Sequence, residues 1–159
     1  MKFYPLAVIF VMLGFAVMSF NPSRKGFKNE NSTIHRGLTD FKTRLSQLKS
    51  DAYLFSENKI TLEDLRKTLR ETRNSFKEIE FYVAYHYPEF TKNHLNAAPL
   101  FHIEAAGTTS YTLPPEGLQV LDEMVFSDEA NEKKDEIKAI TDFLFNSYAS
   151  FYLSSMKNG

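Results

Sequence analysis

The sequence predicts an all-α protein: an antiparallel bundle of about four helices with one long ordered loop, after an N-terminal signal segment. Three observations carry that expectation. Two long stretches repeat apolar residues in alternating steps of three and four, their ends carry residues that cap or break helices, and no stretch alternates apolar and polar residues as a half-buried strand would. A chain of 159 residues can bury one core without covalent staples, so one compact helical unit is expected.

Met1-Lys2 is followed by an apolar run from Phe3 to Phe20, then by polar Asn21 to Lys25. A basic start, an apolar middle and a polar exit are the layout of a secretory signal, with Val17-x-Ser19 as the best cleavage position. An uncleaved membrane anchor is the alternative that the length of the run leaves open. Residues 1–20 are thus expected as signal or anchor, 21–31 as a polar tether, and 32–159 as the helical domain. The expected location is the periplasm, held at the inner membrane if the signal stays, with no other membrane contact.

The first helix is expected from a cap at Ser32 or Thr33 through Ile34, Leu38, Phe41, Leu45, Leu48, Ala52 and Phe55, ending in a left-handed turn at Asn58. Thr61 with Asp64 offers a capping box for a second, whose stripe reads Leu62, Leu65, Leu69, Thr72, Phe76, Ile79 and Val83. It should close before Pro88, whose ring disfavours helix in the preceding residue, and pair antiparallel with the first. Between Pro88 and Pro115 the pattern weakens to a helical turn at Glu89 to Leu95 and then a loop. Pro114-Pro115 is expected to open a short third helix carrying Leu118, Leu121 and Val125. Ser127, Asp128 and Glu129 are expected to cap a last one along Ile137, Ile140, Leu144, Tyr148 and Phe151. Phe143, Phe145 and Tyr152 widen that face until the last helix is apolar almost all round. Either the long loop and third helix wrap it, or Phe143, Phe145, Tyr148, Phe151 and Tyr152 form a partner surface.

Composition closes several chemistries. A net charge of -1 supplies no field to recruit nucleic acid. The absence of cysteine removes disulfides, thiolate metal sites, a cysteine nucleophile and the Cys-x-x-Cys-His attachment of c-type haem. No Gly-rich phosphate loop, Gly-x-Ser-x-Gly elbow or His-Glu-x-x-His helix is present, so no catalytic residue and no cofactor is expected, and the chain is not read as an enzyme. His86, Glu89, His102 and Glu104 bring imidazole and carboxylate groups suited to a divalent metal into one region, although Pro88 interrupts the helix that would align the first two. Arg73, Lys77 and Glu80 share one side of the second helix, where such a ladder contributes about 0.3 kcal/mol per pair.

An ordered set of motifs adds a resemblance. Arg73-x-x-Phe76-Lys77-x-Ile79-Glu80, Tyr85-His86-Tyr87-Pro88, Leu95-Asn96-Ala97-Ala98-Pro99-Leu100, Ile103-Glu104 and Pro115-Glu116-Gly117-Leu118-Gln119-Val120-Leu121 follow one another along the chain. Together they resemble the helical, imelysin-like N-terminal region that precedes the haem domain in di-haem cytochrome c peroxidases of Bacteroidetes-type bacteria. The likeness runs from about Phe41 to about Leu144. It implies an envelope protein that works by contact with a haem-containing peroxidase or electron-transfer partner, either stand-alone or a truncated form of such a protein. Within it Arg73, Lys77, Glu80, Pro88, Asn96, Pro99, Glu104, Pro115 and Gly117 would be structural, the first three clasping the loop from Asn96 to Glu104. The peroxidase activity does not carry over, because the haem-attachment motif is missing. A periplasmic imelysin-like metal-binding protein is the alternative reading. The imelysin motif Gly-x-His-x-x-Glu departs here to Leu100-Phe101-His102-Ile103-Glu104-Ala105, with Leu for Gly and the Glu one residue early.

Overall fold

The computed structural model describes residues 27–96, 101–102, 111–112 and 116–157. The chain divides into two compact units, one up to Thr33 and one from Ile34 to Gly159. Of the first, the described part is the opening of helix α1 (Phe27–Ser56); the bundle belongs to the second. Helix α2 spans Leu62–His86, and α3 is a single turn, Pro88–Phe90, that widens into a π-helical turn over Thr91–Leu95. A two-residue antiparallel ladder follows, β1 (Phe101–His102) on β2 (Tyr111–Thr112), with Phe101 opposite Thr112 and His102 opposite Tyr111. Helices α4 (Leu118–Val125) and α5 (Lys134–Lys157) complete an all-α architecture.

Three sets of contacts fix the directions of the helices. Asp40 accepts from Ser75 at 2.8 Å, Arg44 meets Glu71 at 2.8 Å and Asp51 accepts from Thr68 at 2.6 Å, so rising numbers on α1 meet falling numbers on α2. Likewise His35 lies 3.0 Å from the Met156 sulfur, Thr39 2.9 Å from the Tyr152 hydroxyl and Lys49 3.2 Å from Asp142, which runs α5 antiparallel to α1. Arg66 donates to the Val125 carbonyl at 3.1 Å and Arg73 pairs with Asp122, setting α4 antiparallel to α2. Helix α4 also packs on α5, which closes a square of four helices.

The stripes read in sequence become the core. Leu38, Phe41, Leu45, Leu48, Ala52 and Phe55 of α1 and Leu65, Leu69, Phe76, Ile79 and Val83 of α2 are all buried. At its centre Phe41 lies 5.3 Å from Phe76 and edge-on to Tyr148 at 4.7 Å, geometries in which ring edges meet ring faces. Gly37 lets the two helices close up, since a Cβ there would stand 2.6 Å from the Ile79 methyl. Two buried threonine hydroxyls are satisfied within their own helices: Thr72 donates to the Thr68 carbonyl and Thr141 to that of Ile137, so neither is left without a partner.

The ends of the helices match the sequence in two places and depart from it in three. Asn58 adopts φ 59°, and the Lys59 N–H donates to the Leu54 carbonyl at 2.8 Å, closing α1 in the expected left-handed turn. Thr61 and Asp64 form the full capping box: the Thr61 hydroxyl accepts from the Asp64 N–H, and the Asp64 carboxylate accepts from the Thr61 N–H at 3.0 Å. By contrast α1 begins at Phe27, so Ser32 and Thr33 lie inside the helix and not at its cap. Helix α4 begins at Leu118 after Gly117, so the prolines before it do not form its first turn; Pro115 itself lies outside the described residues. Ser127 turns back to donate to the Met124 carbonyl at 2.8 Å, closing α4, while α5 starts only at Lys134.

Candidate interaction surface

The last helix is not a free aromatic face. Tyr148 is fully buried and its hydroxyl donates to the Leu38 carbonyl at 3.0 Å. Burial pushes the Tyr148 phenol up from its ordinary value. Phe151 is covered by Phe90, stacked at 4.3 Å and 11°, and by Tyr87, edge-on at 4.8 Å. These two rings therefore belong to the core and are removed from the expected partner surface. The reason is geometric: α4 has eight residues, about 12 Å of helix, and cannot cover the full length of α5. The α3 segment and its π-turn cover the remainder. Of the other three rings, Tyr152 contacts Thr39 and lies under the Lys42 ammonium at 4.6 Å, and Phe145 lies under that of Lys49 at 5.1 Å. Phe143 is exposed beside the His94 ring at 6.0 Å.

Gly117 and Asn96 lie at one joint, where the start of α4 meets the π-turn. Gly117 is buried with φ +97°, a backbone conformation that L side chains rarely adopt, and a Cβ there would meet the Leu95 carbonyl oxygen at 2.5 Å. Its neighbour Glu116 lies 3.4 Å from His94, and the Asn96 N–H donates to the Thr91 carbonyl at 2.9 Å, closing the π-turn. Pro88 takes the first position of α3, where its missing N–H leaves no orphan. Arg73 pairs with Asp122 of α4, while most of the loop that it is expected to clasp lies outside the described residues. Lys77 is exposed and Glu80 is half-buried. Pro99 and Glu104 lie outside the described residues.

For a metal, His86 and Glu89 are both exposed on either side of Tyr87, whose φ of −137° and ψ of 57° break the helix between them. The His86 ring instead packs on Tyr82 at 4.6 Å and Tyr85 at 5.0 Å. His102 is described in its backbone alone. Among the described residues no three His, Asp or Glu side chains stand close enough to hold an ion. An open furrow of about 540 Å³ between α1 and α5 is lined by Lys49, Tyr53, Lys138, Asp142 and Phe145. Its charged groups are already engaged, Lys49 with Asp142 and Lys138 over the Tyr53 ring at 5.0 Å.

The outward side of α2 has a different character. Phe81 is 84% exposed and Tyr85 71%, and the two rings lie nearly parallel, 6.1 Å apart and 16° out of plane. Spacing i, i+4 puts them on one side of the helix, off the inward stripe that passes through Ile79 and Val83. Half-buried Tyr82 adjoins them, its phenol pushed up by burial and then by Tyr87 beside it. Two large rings held in water by a rigid helix are a surface that gains by being covered. Tyr85 stands in one of the sequence motifs and Phe81 in none, yet both carry the same signal: aromatics off the apolar stripe of an amphipathic helix.

Fold and surface together define an all-α bundle with two exposed aromatic rings side by side on α2. No family model, no curated protein and no solved structure matches the chain.

Proposed function

We propose that this chain is a non-catalytic, exported helical domain that works by protein contact, with the Phe81–Tyr85 face of α2 as its contact surface. The observation that carries this reading is the pair of stacked rings standing in solvent on a helix whose other face is fully packed. Aromatic side chains that lose water at the centre of an interface supply much of its binding energy. The resemblance of the ordered motifs to the region preceding peroxidase haem domains supplies the class of partner: a haem-containing peroxidase or electron-transfer protein. The apolar run at the N-terminus supports an exported location.

The test is capture of partners from the native envelope on the tagged, exported protein, with Soret absorbance read on the eluate. A haem protein should be recovered with the wild-type chain and lost with the Phe81→Ala/Tyr85→Ala double variant, while thermal melting of the two proteins stays the same. Equal haem recovery with both would move the contact elsewhere. No haem protein with either would remove the redox partner.

A further inference from the structure

We infer that the Phe81–Tyr85 face also pairs with a second copy of itself, in a reversible two-fold dimer that covers the face when no other partner does. This rests on the reading of that face as a contact surface and adds a means of regulating it.

The argument comes from what the face leaves unmatched. Among the described residues six cations sit over aromatic rings, including Lys42 over Tyr152, Lys134 over Phe55 and Arg70 over Phe126. Lys77 on α2 is exposed and has no ion pair or ring contact among the described residues. Tyr85 presents an exposed ring with no cation over it among the described residues. At 1.5 Å of rise per residue the two stand about 12 Å apart along one helix, too far to meet within the chain. Antiparallel pairing of two α2 helices about a two-fold axis through Phe81 changes that. Lys77 precedes the axis by four residues and Tyr85 follows it by four, so each lysine faces the other copy's tyrosine, and the contact is made twice. Phe81 meets Phe81 on the axis. Three residues to either side, Glu78 faces Ala84, so no like charges are opposed and the small side chain lets the backbones approach. The face thus offers each copy a cation for the other's exposed ring and a ring for its own. It is also small: two rings and their neighbours fall below the roughly 800 Å² per partner of a standard complex, so the pair exchanges readily with other partners.

Sedimentation analysis of the full exported chain across a wide concentration range reads this directly. The wild-type chain should shift from monomer to dimer as concentration rises. Phe81→Ala should weaken the association about tenfold or more, as loss of a central ring does in small interfaces. Lys77→Glu and Tyr85→Lys should each weaken it, the second by opposing two ammonium groups. Combined in one chain, they set a carboxylate against an ammonium across the axis and should restore dimer formation. A wild-type chain that stays monomeric throughout overturns the dimer, as does a dimer indifferent to Phe81→Ala or a double variant no better than its parents. These outcomes are separable from the contact reading: haem-protein capture lost in Phe81→Ala with a monomeric wild type leaves contact standing and removes self-pairing. Intact capture in Phe81→Ala with a dimeric wild type does the reverse.

Discussion

Gly117 joins the long loop to α4, and the backbone there leaves no room for a side chain. Gly117→Ala imposes a left-handed φ on an L residue and drives a methyl into the Leu95 carbonyl, which is backbone and cannot rotate away. The expected loss is about 2 kcal/mol or more, read as a lower urea midpoint with an unchanged slope. The motif Pro-Glu-Gly-Leu marked this glycine in the sequence, but its cause lies in a carbonyl more than twenty positions upstream that spacing does not reveal. Tyr148 gives a pH-dependent prediction. Its phenol ionises near pH 10 in an unfolded chain and well above that in the core, so stability from this group is complete below about pH 10 and falls as pH rises past it. Urea midpoints above pH 9 should therefore decline, and Tyr148→Phe should flatten that decline while costing about 1 kcal/mol at neutral pH for the lost hydrogen bond. A midpoint that falls equally in both proteins would assign the alkaline loss to other groups.

Helix boundaries were legible where side chain and backbone conformation agree, and illegible where capping residues serve other uses. Thr61 with Asp64 is a reciprocal pair, so its sequence signature and its geometry coincide. The side-chain and backbone hydrogen bonds from Thr61 hold the Asp64 carboxyl below its ordinary range. That contribution is present above the ordinary carboxylate range and is lost as pH falls through the depressed value. Thr61→Ala should cost about 1 kcal/mol at neutral pH and make stability less sensitive to acid, measurable by helix signal against urea at two pH values. Ser127 is a capping residue type without that reciprocity. Ser127 closes the helix before it, and the positive φ of Gly117 postpones α4 to Leu118. The π-turn at Thr91–Leu95 has no composition that separates it from an ordinary helical turn, so only its hydrogen bond from Asn96 to Thr91 reveals it.

For the bundle as a whole, the apolar girth of α5 announced that it is covered without saying by what. Hydrophobic residues around a helix record burial, and burial by another part of the same chain leaves the same record as burial by a partner. The short α4 and the ring of Phe90 decide between them, and Phe151 falls inside. Phe151→Ala should therefore cost about 3 kcal/mol or more of stability, whereas Phe81→Ala should stay within about 0.5 kcal/mol of wild type. Thermal melting of the two variants distinguishes them; similar losses would mean that Phe81 is packed in solution. The joint at Gly117 also has a topological result. Gly117 lies against the Leu95 backbone, so the two ends of the segment between them are held together by the bundle itself. Lengthening such a closed segment costs only about 0.6 kcal/mol for each doubling. Residues added between Leu95 and Gly117 should therefore leave the helical host in register, read as an unchanged helix signal and a urea midpoint close to that of the parent chain.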